Sequence, residues 1–157
     1  MRKIRFSPLR FAIVLLACVV TAPGYAETII FGHILDDSTA HNQGIVWAAK
    51  QIDSQLGGRY QLQVFPRGQL GKTDAEVVEG FKYGTANMAY LSFGHLLNIY
   101  PPLAIGAGPY VFRDFDHWRA FRDSALFQEL VTDMEQKTGL KTFGLAYYGE
   151  RHVTTHT

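Results

Sequence analysis

Cysteine is nearly absent: Cys18 is the one cysteine in 157 residues. A structural disulfide within the chain is therefore excluded, and stability must come from burial. A surplus of either charge is also missing, with 15 basic against 14 acidic residues. That balance lacks the basic footprint of a nucleic-acid binder. The apolar run Phe11 to Val20 falls short of the about 20 residues a membrane-spanning helix requires. There is no low-complexity segment, no internal repeat and no G-x-S-x-G elbow, which removes the commonest signature of a serine hydrolase.

What stands at the start is a leader. Arg2, Lys3, Arg5 and Arg10 form a positive front, an uncharged apolar run follows, and Gly24-Tyr25-Ala26 offers a small-x-small cleavage site. This layout predicts a secretory signal peptide, residues 1–26, cleaved after Ala26, and an exported protein. Leu15-Leu16-Ala17-Cys18 resembles a lipoprotein processing site, but apolar residues continue past the cysteine. Cleavage after Ala26 leaves a domain of residues 27–157 with no cysteine and 11 basic against 14 acidic residues.

The remaining chain alternates strand and helix patterns. Thr28 to Phe31 reads as a buried strand and Tyr60 to Phe65 as an alternating one. Between them, His41 to Leu56 repeats apolar residues on one helical face: Ile45, Ala48, Ala49, Ile52 and Leu56. Thr73-Asp74-Ala75-Glu76 is a capping box for a second helix that buries Val77, Val78 and Phe81 and stops at Gly84. Asn87 to Leu91 predicts a third strand, and Lys141 to Tyr147 a fourth. Two helices lie between these, one capped by Asp114 or Asp116, the other by Asp123 or Ser124, burying Phe127, Leu130, Val131 and Met134 before Gly139. Trp47, Trp118 and Phe121 are expected in the core. The order predicts an α/β domain with a mostly parallel sheet flanked by helices.

One stretch, FPRGQLGKTDAE from Phe65 to Glu76, nearly spells a phosphate-binding loop. The position five residues before its G-K is Pro66, however, which cannot donate the backbone N–H that such a loop needs. What survives is a helix N-terminus after a glycine-rich turn, able to face an anion, or a capped helix and nothing more.

Several phrases together resemble the solute-binding proteins of tripartite ATP-independent periplasmic (TRAP) transporters. They are Phe31-Gly32, Val64-Phe65-Pro66 with Gln69-Leu70-Gly71, Gly84-Thr85 with Asn87-Met88-Ala89, Pro109 to Asp114, and Tyr148 to His152 with Thr154-Thr155. The resemblance implies a periplasmic-binding-protein-like lobe and a receptor without enzymatic activity or cofactor. Such a receptor captures an organic acid anion, a C4-dicarboxylate or sugar acid, between two lobes and delivers it to a membrane permease. Arg151 matches an arginine that approaches the ligand carboxylate. Ser92 and Thr73 match cavity positions, and His33 lies where the first strand enters the same region. Family chains are longer, so the resemblance also implies an N-terminal portion whose second lobe is missing.

Physical chemistry supports Arg151 separately. A guanidinium pairs bidentately with a carboxylate, and ligands of open parallel sheets bind beyond the carboxyl ends of strands. The competing use of Arg151 is a pair with Glu150. Tyr148, leading toward Arg151, is placed to cover a ligand.

Two other functions compete. Six histidines invite an exported metal-binding protein, with His152 and His156 as a pair. On an extended chain those two lie about 13 Å apart, too far to share one ion. A small exported hydrolase is the second, but the adjacent Asp36 and Asp37 read as a solvated turn and not as an acid and base on opposite sides of a bond.

Overall fold

The computed structural model describes residues 26–150 and 154. Strand β1 (Glu27–Gly32) leads to helix α1 (Ala40–Gln55), strand β2 (Tyr60–Phe65), helix α2 (Asp74–Tyr83) and strand β3 (Met88–Ala89). Two 3₁₀ segments, Phe93–Asn98 and Pro101–Ala107, follow, and then helices α3 (Phe115–Arg122) and α4 (Ala125–Thr138). The three strands form one parallel sheet in the order β2-β1-β3. Among the described residues no helix is long and apolar enough to cross a membrane.

Local chemistry explains each helix boundary. Thr39, Thr73, Asp114 and Ser124 cap the N-termini of α1, α2, α3 and α4, each accepting from a backbone N–H inside its first turn. At the other end, α2 and α4 stop at Gly84 and Gly139, both in the left-handed region.

The sheet is held in register by more than its ladder. Asn87 donates its N–H to Ile30 O, and its side-chain Oδ1 accepts from Ile30 N–H at 2.9 Å. One residue before β3 thus doubles the attachment of that short strand to β1.

The principal core lies between the 3₁₀ segments and α4, where Leu96, Tyr100, Leu103, Phe127 and Met134 are buried together. Leu130 and Val131 are half-buried against this cluster, as the helical pattern predicts. Phe31 and Val77 are buried, and α2 passes close over the glycine turn that precedes it. A Cβ at Gly71 would come within 2.7 Å of the Glu76 Cβ and 2.9 Å of the Val77 nitrogen.

Three expectations need correction. Residues 141–147 form no strand: β3, the strand beyond β1, is two residues long and gives a fourth strand little ladder to join. Leu145 and Tyr147 turn to the helices instead, while Phe143 is exposed. Leu145 packs on the core cluster, and the Tyr147 ring lies 5.0 Å from Trp118 and 4.9 Å from Phe115. Next, the predicted strand Asn87 to Leu91 contracts to Met88–Ala89, because its flanks spend their amides on single contacts with β1. Last, Trp47 is 65% exposed. It points away from the half-buried face of Ile45, Ala48, Ala49 and Ile52, and Leu56, at the C-cap, is also exposed. Trp118 is buried and Phe121 half-buried, as expected.

Candidate functional site

In a parallel sheet all strands end on the same edge, so the residues just after Gly32, Phe65 and Ala89 come together. The N-termini of α1 and α2 follow the turns that leave β1 and β2, and they open on this edge with their unpaired N–H groups.

His33, the first residue after β1, is fully buried. Its Nδ1 accepts from the Leu35 N–H at 3.2 Å, which leaves Nε2 to carry the proton and donate to Asn42 Oδ1 at 3.1 Å. Asn42 in turn donates to the Asp37 carbonyl. Burial pushes the His33 pKa below its ordinary value, against the raising effects of the Asn42 hydrogen bond and the Asp37 charge. The ring is a neutral strut that ties the β1–α1 loop to the first turn of α1, and both of its nitrogens are engaged within the fold. Within the same loop, Asp36 accepts from the Ser38 N–H and hydroxyl, forming a turn, and Asp37 pairs with Arg67 at 3.3 Å. The Asp36-Asp37 pair is thus a polar turn.

Thr73 caps α2, accepting from the Glu76 N–H at 3.3 Å. Glu76 reaches back one residue further than the usual capping box, to the Lys72 N–H at 2.8 Å. The neighbouring Asp74 is 2% exposed. Its Oδ2 accepts from the Ser92 N–H at 3.0 Å and lies 2.7 Å from His95 Nδ1, while among the described residues its Oδ1 has no hydrogen-bond partner. Ser92 caps the first 3₁₀ segment through its hydroxyl, at 3.2 Å from the Gly94 N–H.

Above this polar seam sit three rings. His41, in the first turn of α1, stacks on Tyr148 with centroids 5.2 Å apart and planes 20° apart. It also meets Tyr90, the first residue after β3, at 5.2 Å and 45°. Burial is the largest cause raising the Tyr90 pKa, followed by the Tyr148 phenol and the Asp74 charge. Tyr90 therefore keeps its proton and presents a hydroxyl donor.

The structure thus gathers His33, Ser92, Thr73 and Tyr148 around the ends of the strands and the N-termini of α1 and α2. Arg151, His152 and His156 lie outside the described residues. Among the described residues no group of three or more His, Cys, Asp or Glu is placed to hold a metal ion. Sequence reasoning missed Asp74, His41, Tyr90 and His95. Tyr90 fell inside the predicted strand Asn87 to Leu91, and only the contraction of that strand to Met88–Ala89 puts it just past the strand end. No local pattern marks His41, whose ring partners are distant in sequence.

A parallel sheet that collects strand ends, helix N-termini and a mixed set of rings and hydrogen-bonding groups on one edge is the layout of a small-molecule-binding α/β lobe. Residues 31–157 match the family model described as bacterial extracellular solute-binding protein, family 7, and the chain belongs to that family. It is 37% identical over 121 residues to a solute-binding protein of Verminephrobacter eiseniae. Among solved structures, a TRAP periplasmic solute-binding protein from Sulfurospirillum deleyianum with bound succinate superimposes with a TM-score of 0.66 at 31% identity, over 73% of this chain and 36% of that one. A second, from Polaromonas and bound to D-erythronate, gives 0.64 at 28% identity, over 71% of this chain and 36% of that one. The Verminephrobacter comparison covers 74% of this chain and 36% of the relative, so the match spans about a third of these relatives' length.

Proposed function

We propose that this chain is the N-terminal ligand-binding lobe of an extracytoplasmic solute-binding protein, that it captures an organic acid anion, and that it delivers the anion to the membrane permease of a TRAP-type transporter. In this reading residues 1–26 direct export and are removed, residues 27–157 form the lobe, and no bond of the ligand is made or broken. The observation that carries it is the convergence of Thr73, Ser92 and Tyr148 on the edge where the parallel strands end and α1 and α2 begin. Arg151 anchors the ligand carboxylate by a bidentate pair. Ser92 and Thr73 line the site beside it, Tyr148 covers it, and His33 holds the loop that shapes its floor.

The test is a panel of organic acids, each paired with its neutral primary amide, followed by thermal shift on the full exported chain. Binding raises the melting temperature in proportion to ligand excess over Kd. Acids are expected to stabilise the protein and their amides to fail at the same concentration. Equal shifts from acid and amide, or none from any acid, would remove the anion from the account.

A further inference from the structure

The sheet order β2-β1-β3 leaves β2 at an edge. Which backbone groups it leaves open follows from its ladder to β1. Glu27 donates its N–H to Arg59 O at 2.9 Å, and His33 donates its N–H to Phe65 O at 3.2 Å. Alternate residues of a parallel strand address the same neighbour, so Gln61, Gln63 and Phe65 turn their backbone toward β1. The N–H and C=O of Tyr60, Leu62 and Val64 therefore point outward. Among the described residues no hydrogen bond engages them.

Native proteins shield such an edge with charge, proline, a bulge or a covering segment. Along the 6 residues of β2, Tyr-Gln-Leu-Gln-Val-Phe, there is no charge and no proline, and the register to β1 runs without a bulge. Arg59 and Pro66 flank the strand but lie outside it. Tyr60, Leu62 and Val64 are half-buried, whereas Gln61 and Gln63 are exposed.

The edge is complementary to itself. Gln61-Leu62-Gln63 reads the same in both directions. A second copy set antiparallel, with a two-fold axis through Leu62 normal to the sheet, places Leu62 opposite Leu62 and Tyr60 opposite Val64. These are the residues whose groups point outward, so each outward N–H meets an outward C=O in hydrogen-bonded pairs. Gln61 then lies opposite Gln63 on the exposed face, and the two side-chain amides can donate to and accept from each other. Moving the axis to Gln63 would set Tyr60 opposite Pro66, which has no N–H to give. An arbitrary extended peptide would satisfy the backbone but not the paired amides.

We propose that β2 is the pairing edge of a symmetric dimer, in which two copies of this chain join their sheets antiparallel about Leu62. The paired strands run in opposite directions, so the carboxyl edges of the two sheets open at opposite ends.

Sedimentation equilibrium on the full exported chain tests it over about a hundredfold range of concentration, up to about 0.5 mM. The average mass of wild type is expected to rise from one copy toward two. Gln61→Lys combined with Gln63→Lys sets like charges opposite each other on an exposed face. This double lysine variant is expected to weaken self-association by at least about tenfold. Gln61→Glu combined with Gln63→Glu is expected to do the same. An equimolar mixture of the two double variants is expected to associate at least as well as wild type, through opposite charges. That recovery cannot come from protein that has failed to fold. Wild type that stays a single copy over the whole range overturns the inference, and so does a double lysine variant that associates like wild type. A mixture that remains at single-copy mass overturns it as well.

Discussion

At His33 the ring nitrogens are both spent inside the fold, one on Leu35 and one on Asn42, and burial holds the pKa below 6.5. The consequence for stability has a definite sign. On unfolding, the ring regains its ordinary affinity and takes up a proton that the native state refuses. The unfolded state then binds more protons, so stability is complete above about pH 6.5, falls as the pH drops below it, and levels off under the folded-state pKa. The melting temperature of wild type is expected to fall between pH 7 and pH 5 more steeply than that of His33→Gln, which has no titrating ring. Parallel curves would show that His33 is not the group responsible. The position of His33 at a strand exit was legible in the sequence, because strand ends and ligand edges coincide. Its buried partners were not, since the Asn42 contact exists only once the loop has turned back on α1. Asp74 and the ring triad were hidden for the same reason: their contacts join residues that only the tertiary fold brings close.

Helices were legible to within a residue or so at most of their ends, because caps are local chemistry. Thr73, Ser124 and Gly139 announce their roles in a window of four residues. Strands depend on a partner, and that is why Lys141 to Tyr147, with a convincing alternation, carries no ladder. Trp47 misled for a related reason: its hydrophobicity outweighed its place on the far side of α1 from Ile45 and Ile52. At the start of α2 two separate demands can be told apart by substitution. Thr73→Ala removes the cap on the Glu76 N–H and is expected to lower the unfolding free energy by about 1 kcal/mol. Gly71→Ala forces a methyl to within 2.7 Å of the Glu76 Cβ and 2.9 Å of a backbone nitrogen, so it is expected to cost more, in the range of about 1–3 kcal/mol for overpacking. Urea denaturation of both variants measures the order. A Gly71→Ala protein as stable as wild type would mean that α2 does not sit this close to its own entry turn.

For the whole molecule, family membership rests on residues 31–157, which begin just after the predicted leader. Export and cleavage after Ala26 predict that the mature protein starts at Glu27. N-terminal sequencing of protein recovered from the periplasm checks this. A first residue of Met1 would mean that the leader is retained, and a lipid-modified Cys18 at the N-terminus would move the cleavage to before Cys18 and anchor the protein.

In the proposed function the guanidinium of Arg151 anchors the organic anion. Calorimetric titration of wild type, Arg151→Ala and Arg151→Lys with the best-binding acid tests it most directly. Loss of a charge-assisted bidentate pair is expected to weaken binding by at least about 30-fold in Arg151→Ala, the equivalent of about 2 kcal/mol or more. Arg151→Lys is expected to recover little of it, because an ammonium cannot reproduce the fork. Equal affinity in wild type and Arg151→Ala, with both proteins folded, would contradict the account at its foundation.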